Sequence, residues 1–192
     1  MTLATAYPLP SLASLPSDIQ EKILAIQEKA GFIPNVFLML ARRPDELRAF
    51  FAYHDALMYR KNPATGGLSK GEKEMIVVAT SGLNNCLYCV MAHGAILRVY
   101  EKSPQIADQI AINHRKAALT ARQHAMLDYA LKVAAHSSQV TQADFDTLMA
   151  HGFDMEDIWD IGNITALFAL SNRMANVTGL MPNEAFYTMG RG

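Results

Sequence analysis

The segment NNCLYCVMAH, residues 84–93, holds the only two cysteines of the chain and a histidine four residues after the second one. Cys86 and Cys89 form a CxxC motif, and His93 extends it to CxxCxxxH. The thiolate is the reactive form of cysteine, and a nearby imidazole can act as a base or a counter-charge. The spacing therefore indicates a redox dithiol, part of a metal site, or two core thiols beside an unrelated histidine.

The motif is predicted to open a helix. Asn84 and Asn85 interrupt the preceding apolar pattern and are candidate N-cap residues, so a new helix should begin at or near Cys86. Because each residue turns a helix by about 100°, Cys86, Cys89 and His93 would share one face. Both cysteines would lie in the first turn, close enough for a disulfide, where backbone amides and the helix dipole stabilise a thiolate.

The residues alone leave two questions open about this site. The dipole favours Cys86 as the more acidic thiol, whereas His93 is closer to Cys89 and could reach its sulfur directly or through one water. A closed zinc site needs four ligands, and the chain has no second cysteine pair. A site completed by His93 and a carboxylate stays conceivable, but we expect no metal and no cofactor.

The rest of the chain is predicted to be helical from about Asp18 to Thr178, with no convincing hairpin. The run MIVVAT, 75–80, would also suit a buried strand, but its capping signal and length favour helix. The predicted fold class is all-α, a single-domain helical bundle. Three helix starts show a capping-box pattern: Ser17 with Gln20, Ser69 with Glu72, and Thr120 with Gln123.

The chain of 192 residues is interpreted as an extended N-terminal arm, 1–16, followed by one domain, 17–192, because no shift in composition marks a further boundary. The segments LSKGEKEMIVVA from Leu68 and LTARQHAMLDYA from Leu119 have Leu, a hydroxyl cap, a polar reach-back residue, Met and Ala at matching offsets. This similarity could record an internal helical duplication or only two helices with similar caps.

Composition limits the partners. A net charge of -1 gives no electrostatic basis for binding nucleic acid or an anionic membrane. The arm lacks the pattern of a signal peptide and no stretch is apolar enough to span a bilayer, so we expect a cytoplasmic protein. Charged residues make up 18%, below the usual quarter, which predicts a homo-oligomer whose interfaces bury apolar helix faces.

A wider pattern includes Glu74, twelve residues before Cys86, and gives E-x11-C-x2-C-x3-H with Cys89 and His93. It resembles the active-site signature of the alkylhydroperoxidase D family, within the carboxymuconolactone decarboxylase-like superfamily. LSKGEKEMIVVATSGLNNCLYCVMAH resembles the family beyond these four residues. IPNVFLMLARRPDELRAFFAYHDALM and NRMANVTGL resemble its longer, peroxidase-related branch, so the resemblance covers about 33–180.

The resemblance implies an all-α homo-oligomer, a dimer, trimer or multiple of these, that reduces a hydroperoxide substrate without metal or haem. Cys89 would be the peroxidatic thiolate and Cys86 the resolving thiol, and an unidentified dithiol reductant protein would reopen their disulfide. Glu74 and His93 would form the proton relay. Tyr88 departs from the prototype, which has a histidine between its cysteines; tyrosine is a poor base at neutral pH but can donate a hydrogen bond.

Two other functions remain alternatives. One is a redox-sensing or ligand-binding helical oligomer without peroxidase turnover, and the other is a decarboxylase or lactone-processing member of the superfamily, which needs no CxxC. Glu74 could also be an ordinary surface carboxylate. His54 could line a pocket with Tyr53, but a core or interface position is expected for it, and also for Trp159, rather than a catalytic one.

Overall fold

A computed structural model describes residues 7–192, and within this range the chain forms helices and no β-strand. The predicted all-α fold class is confirmed. Residues 1–6 of the predicted arm lie outside the described residues, and 7–16 carry a short 3-10 turn, Leu12–Ser14. The α-helices are α1 (Ser17–Ala30), α2 (Asn35–Leu40), α3 (Pro44–Met58), α4 (Lys70–Leu83), α5 (Leu87–Glu101), α6 (Ile106–Asn113), α7 (Ala121–His136), α8 (Gln142–Ala150), α9 (Met155–Thr178) and α10 (Ala185–Thr188).

Two of the predicted capping boxes form. Ser69 Oγ accepts a hydrogen bond from the backbone N–H of Glu72 at 3.0 Å, and the Glu72 carboxylate accepts one from the N–H of Ser69 at 2.8 Å. Thr120 and Gln123 make the equivalent pair at α7. These boxes satisfy donors that the first turn of a helix leaves unpaired. Both helices of the suggested duplication therefore start as predicted, while the duplication itself stays a prediction.

The capping box predicted at Ser17 and Gln20 is wrong. Pro16 is the N-cap residue, and its carbonyl accepts hydrogen bonds from the backbone N–H groups of Ile19 and Gln20. The Gln20 side chain instead donates to the carbonyl of Leu15 at 2.7 Å. Ser17 is thus already the first helical residue, one position too late to serve as a cap.

Helix α4 is the centre of the bundle. All its residues from Gly71 to Ser81 are buried, because α5, α6, α7 and α9 pack around it. A helix that is covered on all sides needs no polar face, which explains why MIVVAT has the composition of a strand. Two smaller apolar clusters flank this core, one among α1, α2 and α3 and the other around the cysteines.

A short turn joins α4 to α5. Asn84 ends α4, and Asn85 takes a left-handed conformation with φ of 51°, which asparagine tolerates better than most residues. Cys86 is the N-cap residue of α5, and its carbonyl accepts a hydrogen bond from the N–H of Val90 at 3.0 Å. The two asparagines therefore make the turn and do not cap the helix, contrary to the prediction.

The last part of the chain folds onto α5, beyond the end of the predicted helical region. Arg98 of α5 is buried, and its guanidinium donates to the carbonyls of Phe186 at 2.7 Å and Met189 at 2.9 Å. The Phe186 side chain packs in the cysteine cluster. This segment closes one side of the region around the CxxC motif.

A buried lysine joins α3 to α4. Lys73 Nζ donates to the carbonyls of Leu57 at 2.8 Å, Met58 at 3.3 Å and Arg60 at 2.8 Å. These carbonyls lie at the C-terminal end of α3, where backbone acceptors lack helical partners and the dipole favours a cation. The contact fixes the end of α3 against the part of α4 that carries Glu74.

Candidate active site

Cys86 and Cys89 lie together at the start of α5, as free thiols within an apolar cluster. Both are buried, with exposures of 0% and 2%. The sulfur of Cys89 lies 3.8 Å from Ser171 Oγ of α9. The CxxC spacing therefore brings the two thiols into contact, as the position at a helix start predicts.

The two thiols differ in acidity. The pKa of Cys86 is lowered to about 7, chiefly because the Cys89 thiol donates a hydrogen bond to its sulfur. The backbone N–H of Cys89 and the Asn172 side chain lower it further, while burial opposes them. The pKa of Cys89 is raised, because Cys89 is the donor of the pair and is buried. Cys86 is therefore the more acidic thiol of the pair, as the dipole argument favours.

His93 and Glu74 form a close pair between α5 and α4. His93 Nδ1 lies 2.7 Å from Glu74 Oε2, and the Glu74 residue is only 6% exposed, which excludes the surface alternative for this carboxylate. Because an ionised carboxylate can only accept, Nδ1 is the protonated nitrogen and Nε2 is left as the basic one. The Phe168 ring packs edge-on against the imidazole, with centroids 4.7 Å apart.

A cavity of about 700 Å³ gives access to this region. Cys89, His93 and Glu74 line it, and Cys86 does not. Cys89 therefore borders the cavity, although it is only 2% exposed, and Cys86 does not. The cavity thus favours Cys89 as the thiol that meets a ligand, whereas the lower pKa belongs to Cys86.

Tyr88, which stands between the two cysteines, makes a hydrogen bond and an aromatic contact with other segments. Its hydroxyl accepts a hydrogen bond from the backbone N–H of Val36 at 3.1 Å, and its ring packs edge-on against Phe186. Burial raises the pKa of the phenol. Tyr88 therefore connects the start of α5 with α2 and with the C-terminal segment.

Polar residues of α9 support the cysteines and were not predicted from the sequence. Ser171 contacts Cys89, and the fully buried Asn172 donates from Nδ2 to Ser81 Oγ at 2.9 Å. Asn172 Oδ1 accepts from Asn84 Nδ2 at 2.9 Å. The only signal in the sequence was a Ser-Asn pair inside the apolar run ALFALSNRM, since buried polar side chains need partners.

His54 of α3 also lines the cavity. The sequence predicted a core or interface histidine outside the catalytic set, and the imidazole is indeed largely buried, with 22% of its side chain exposed. His54 is far from the CxxC motif along the chain, so the sequence did not indicate that both line one cavity. Only the packing of α3 against α9 places it there.

Residues 7–192 contain neither a cluster of metal ligands nor a membrane-spanning helix. No group of three or more His, Cys, Asp or Glu side chains in this range is arranged to hold a metal ion. None of the described helices has both the length and the apolar character needed to cross a membrane.

The carboxymuconolactone decarboxylase family matches residues 44–136, a range that includes Glu74, both cysteines and His93. No curated protein matches the sequence. Three solved structures resemble the chain over nearly its whole length.

The first is the alkylhydroperoxidase AhpD core, an uncharacterized peroxidase-related protein from Ralstonia eutropha JMP134, which is 63% identical with a TM-score of 0.93 over 97% of this chain and 96% of that one. The second, an uncharacterized peroxidase-related protein from Silicibacter sp. TM1040, is 39% identical with a TM-score of 0.89 over 96% and 94%. The debrominase Bmp8 shares the fold at 18% identity, with a TM-score of 0.77 over 98% and 97%. The chain therefore belongs to the alkylhydroperoxidase D-like proteins of the carboxymuconolactone decarboxylase superfamily.

Proposed function

We propose that the protein is a thiol-dependent peroxidase that reduces hydroperoxides with the Cys86–Cys89 dithiol. The observation that carries this proposal is the shared cavity, which is lined by Cys89 and by the His93–Glu74 pair and not by Cys86. Membership of a family with peroxidase-related proteins supports it. The CxxC motif favours it over a decarboxylase or lactone-processing role.

The first step starts from the pair with both sulfurs protonated. The proton of the Cys89 thiol passes to His93 Nε2, and Glu74 stabilises the resulting imidazolium. The Cys89 thiolate attacks the terminal oxygen of the hydroperoxide R–O–OH, so that an S–O bond forms and the O–O bond breaks. The leaving alkoxide takes the proton back from His93 and departs as an alcohol. Cys89 becomes a sulfenic acid, and the peroxide has been reduced by two electrons.

In the second step the Cys86 thiolate attacks the sulfenic sulfur of Cys89. The S–S bond forms, the S–O bond breaks, and the hydroxide leaves as water after taking up a proton. The lowered pKa of Cys86, about 7, suits this role, because the thiolate is the attacking form near neutral pH. A dithiol reductant protein of the cytoplasm then reopens the disulfide by exchange, and the cycle needs no metal or organic cofactor.

Rapid mixing of the reduced protein with cumene hydroperoxide and with hydrogen peroxide tests the proposal. Mass spectrometry of wild type, Cys86→Ser and Cys89→Ser should show a fast Cys86–Cys89 disulfide in wild type and a sulfenic acid on Cys89 when Cys86 is absent. Oxidation no faster than that of a free thiol would contradict the peroxidase. Repeated turnover with added dithiothreitol separates a peroxidase from a sensor, which would oxidise only once.

We also propose that the protein is a homo-oligomer that associates through one face of α9. Trp159, Leu170, Met174 and Val177 follow helical spacing and are all exposed, with 67% of Trp159 accessible. This exposure excludes the core position for Trp159 and supports a position in a subunit interface. Light scattering should give an oligomeric mass for wild type and a smaller one for Trp159→Lys, whereas a monomeric wild type would contradict the proposal.

A further inference from the structure

A second histidine–carboxylate pair reaches the cavity from α3. His54 Nδ1 lies 3.0 Å from Asp55 Oδ1, and the other oxygen of Asp55 accepts a hydrogen bond from Lys22 Nζ of α1 at 2.9 Å. An ionised carboxylate can only accept, so Nδ1 carries the proton in this pair. His54 Nε2 is then a hydrogen-bond acceptor available to a ligand in the cavity.

The surroundings of His54 keep its imidazole neutral. The ring stacks on Phe50 with centroids 6.0 Å apart and meets the edges of Phe168 and Tyr59 at 6.4 and 6.2 Å. Burial lowers the pKa of His54 below its ordinary value of 6.5, against the opposing effect of Asp55. The other charged or titratable groups that face it are Lys22 through Asp55, Tyr59, and the pair His93 and Glu74.

Helix α9 relates His54 to the reactive sulfur. Ser171 contacts Cys89, and Phe168, one helical turn away on the same face, contacts the rings of both His93 and His54. Cys89 and the two imidazoles therefore line one cavity, and its volume of about 700 Å³ leaves room for a small organic hydroperoxide. The remaining lining is mostly apolar, with several aromatic side chains, and also includes Lys22, Lys29, Lys70 and Lys73.

We propose that His54 is a substrate-binding residue whose Nε2 accepts a hydrogen bond from the O–H of an organic hydroperoxide, with the apolar group of the substrate packed in the cavity. The inference rests on the proposed peroxidase function. His93 moves protons, and His54 orients the terminal oxygen toward Cys89. The site would thus select R–O–OH over dialkyl peroxides, which have no O–H to donate.

Binding of two unreactive probes tests this role without turnover. Cumyl alcohol keeps the apolar group and one O–H, whereas its methyl ether cannot donate. In calorimetric titrations, wild type should bind the alcohol about 3- to 10-fold more tightly than the ether, the usual net value of one hydrogen bond. His54→Phe should lose this preference, and His54→Gln should restore part of it, because its amide oxygen can accept.

His124→Phe is the matched control, because His124 is a half-buried histidine that does not line the cavity, and it should keep the preference for the alcohol. Thermal melting confirms that each variant is folded. In wild type the preference should also fade as the pH falls below 6.5, because protonated Nε2 cannot accept, and His54→Phe should show no such change.

The outcomes separate the two proposals. A preference that persists unchanged in His54→Phe, or that is missing in wild type, overturns the role of His54. If the preference depends on His54 but peroxides oxidise Cys89 no faster than a free thiol, the binding role stands and the peroxidase fails. If both hold, His54→Phe should raise the KM for cumene hydroperoxide about tenfold with little change in kcat.

Discussion

Two histidine–carboxylate pairs in this protein have nearly the same N···O distance, but their carboxylates differ in exposure to solvent. His93 Nδ1 lies 2.7 Å from Glu74, and His114 Nε2 lies 2.9 Å from Asp128. In the first pair the carboxylate side chain is 8% exposed and the imidazole 17%, whereas in the second the imidazole is 8% exposed and the carboxylate 45%. Arg115 also donates to Asp128, at 2.9 Å, so the outer pair belongs to a surface ion cluster.

The surroundings of the two pairs differ in a way that matters for function. His93 faces a cavity that also holds a thiol, and its buried carboxylate can stabilise a positive imidazole. His114 is enclosed, and its carboxylate faces water. A short N···O distance therefore carries no functional meaning until the neighbours and the direction of access are known.

The largest effect that separates the pairs is on the rate of thiol oxidation. His93→Gln can still donate a hydrogen bond to Glu74 but cannot carry a proton, so the rate of Cys89 oxidation should fall by about 10²- to 10⁴-fold. His114→Gln, the matched control, should stay within about twofold of wild type. Stopped-flow oxidation by cumene hydroperoxide measures both, and equal losses would contradict the comparison.

Replacing the carboxylates should affect the oxidation rate in the same order as replacing the histidines, but less strongly. In the proposed cycle Glu74 acts through His93, so Glu74→Gln should lower the rate by about 10- to 100-fold and change the pH–rate profile. Asp128→Asn should leave both the rate and the profile unchanged. A slower Glu74→Gln with an unaltered pH–rate profile would indicate a merely structural role.

The loss of stability should depend on which of the two histidines is removed. His93→Leu leaves the buried charge of Glu74 without its donor and should lower the free energy of unfolding by about 2 to 3 kcal/mol. His114→Leu leaves Asp128 in water beside Arg115 and should lower it by about 1 kcal/mol. Urea unfolding of the reduced proteins gives both values. A larger loss in His114→Leu than in His93→Leu would contradict the greater burial of the Glu74 carboxylate.

The smallest expected difference concerns the titration of the cysteines. The pKa of Cys86 is lowered to about 7, so the ultraviolet absorbance of the thiolate should appear as the pH rises through about 7 and be lost below it. His93 adds the smallest of the lowering effects on the pKa of Cys86, so His93→Gln should move the midpoint slightly upward. His114→Gln should leave it in place, and a downward shift in His93→Gln would contradict this account.

The features that were predictable are those encoded by neighbours in the sequence. Ser69 with Glu72 and Thr120 with Gln123 start helices as predicted, because a capping box is complete within four residues. The box at Ser17 failed because Pro16, one residue earlier, provides the N-cap. Helix geometry likewise predicted that Cys86 and Cys89 lie close together.

The remaining parts of the site depend on packing between distant segments. Ser171 contacts Cys89 across 82 residues of chain, and no spacing rule relates them. His54 faces the same cavity because α3 packs on α9, and α3 is held at its end by Lys73. Glu74 was found through the family resemblance, since spacing alone does not distinguish it from a surface glutamate.

The turn at Asn85 has a consequence for the order of folding. It joins α4 and α5 with almost no loop, so the segment from Glu74 to His93 contains the dithiol and its histidine–carboxylate pair within twenty consecutive residues. Contacts so close in sequence need little loop closure and form early. A refolding chain should therefore bring its thiols together before the N-terminal helices and the C-terminal segment cover them, and the yield of reduced protein should depend on a reductant being present from the start.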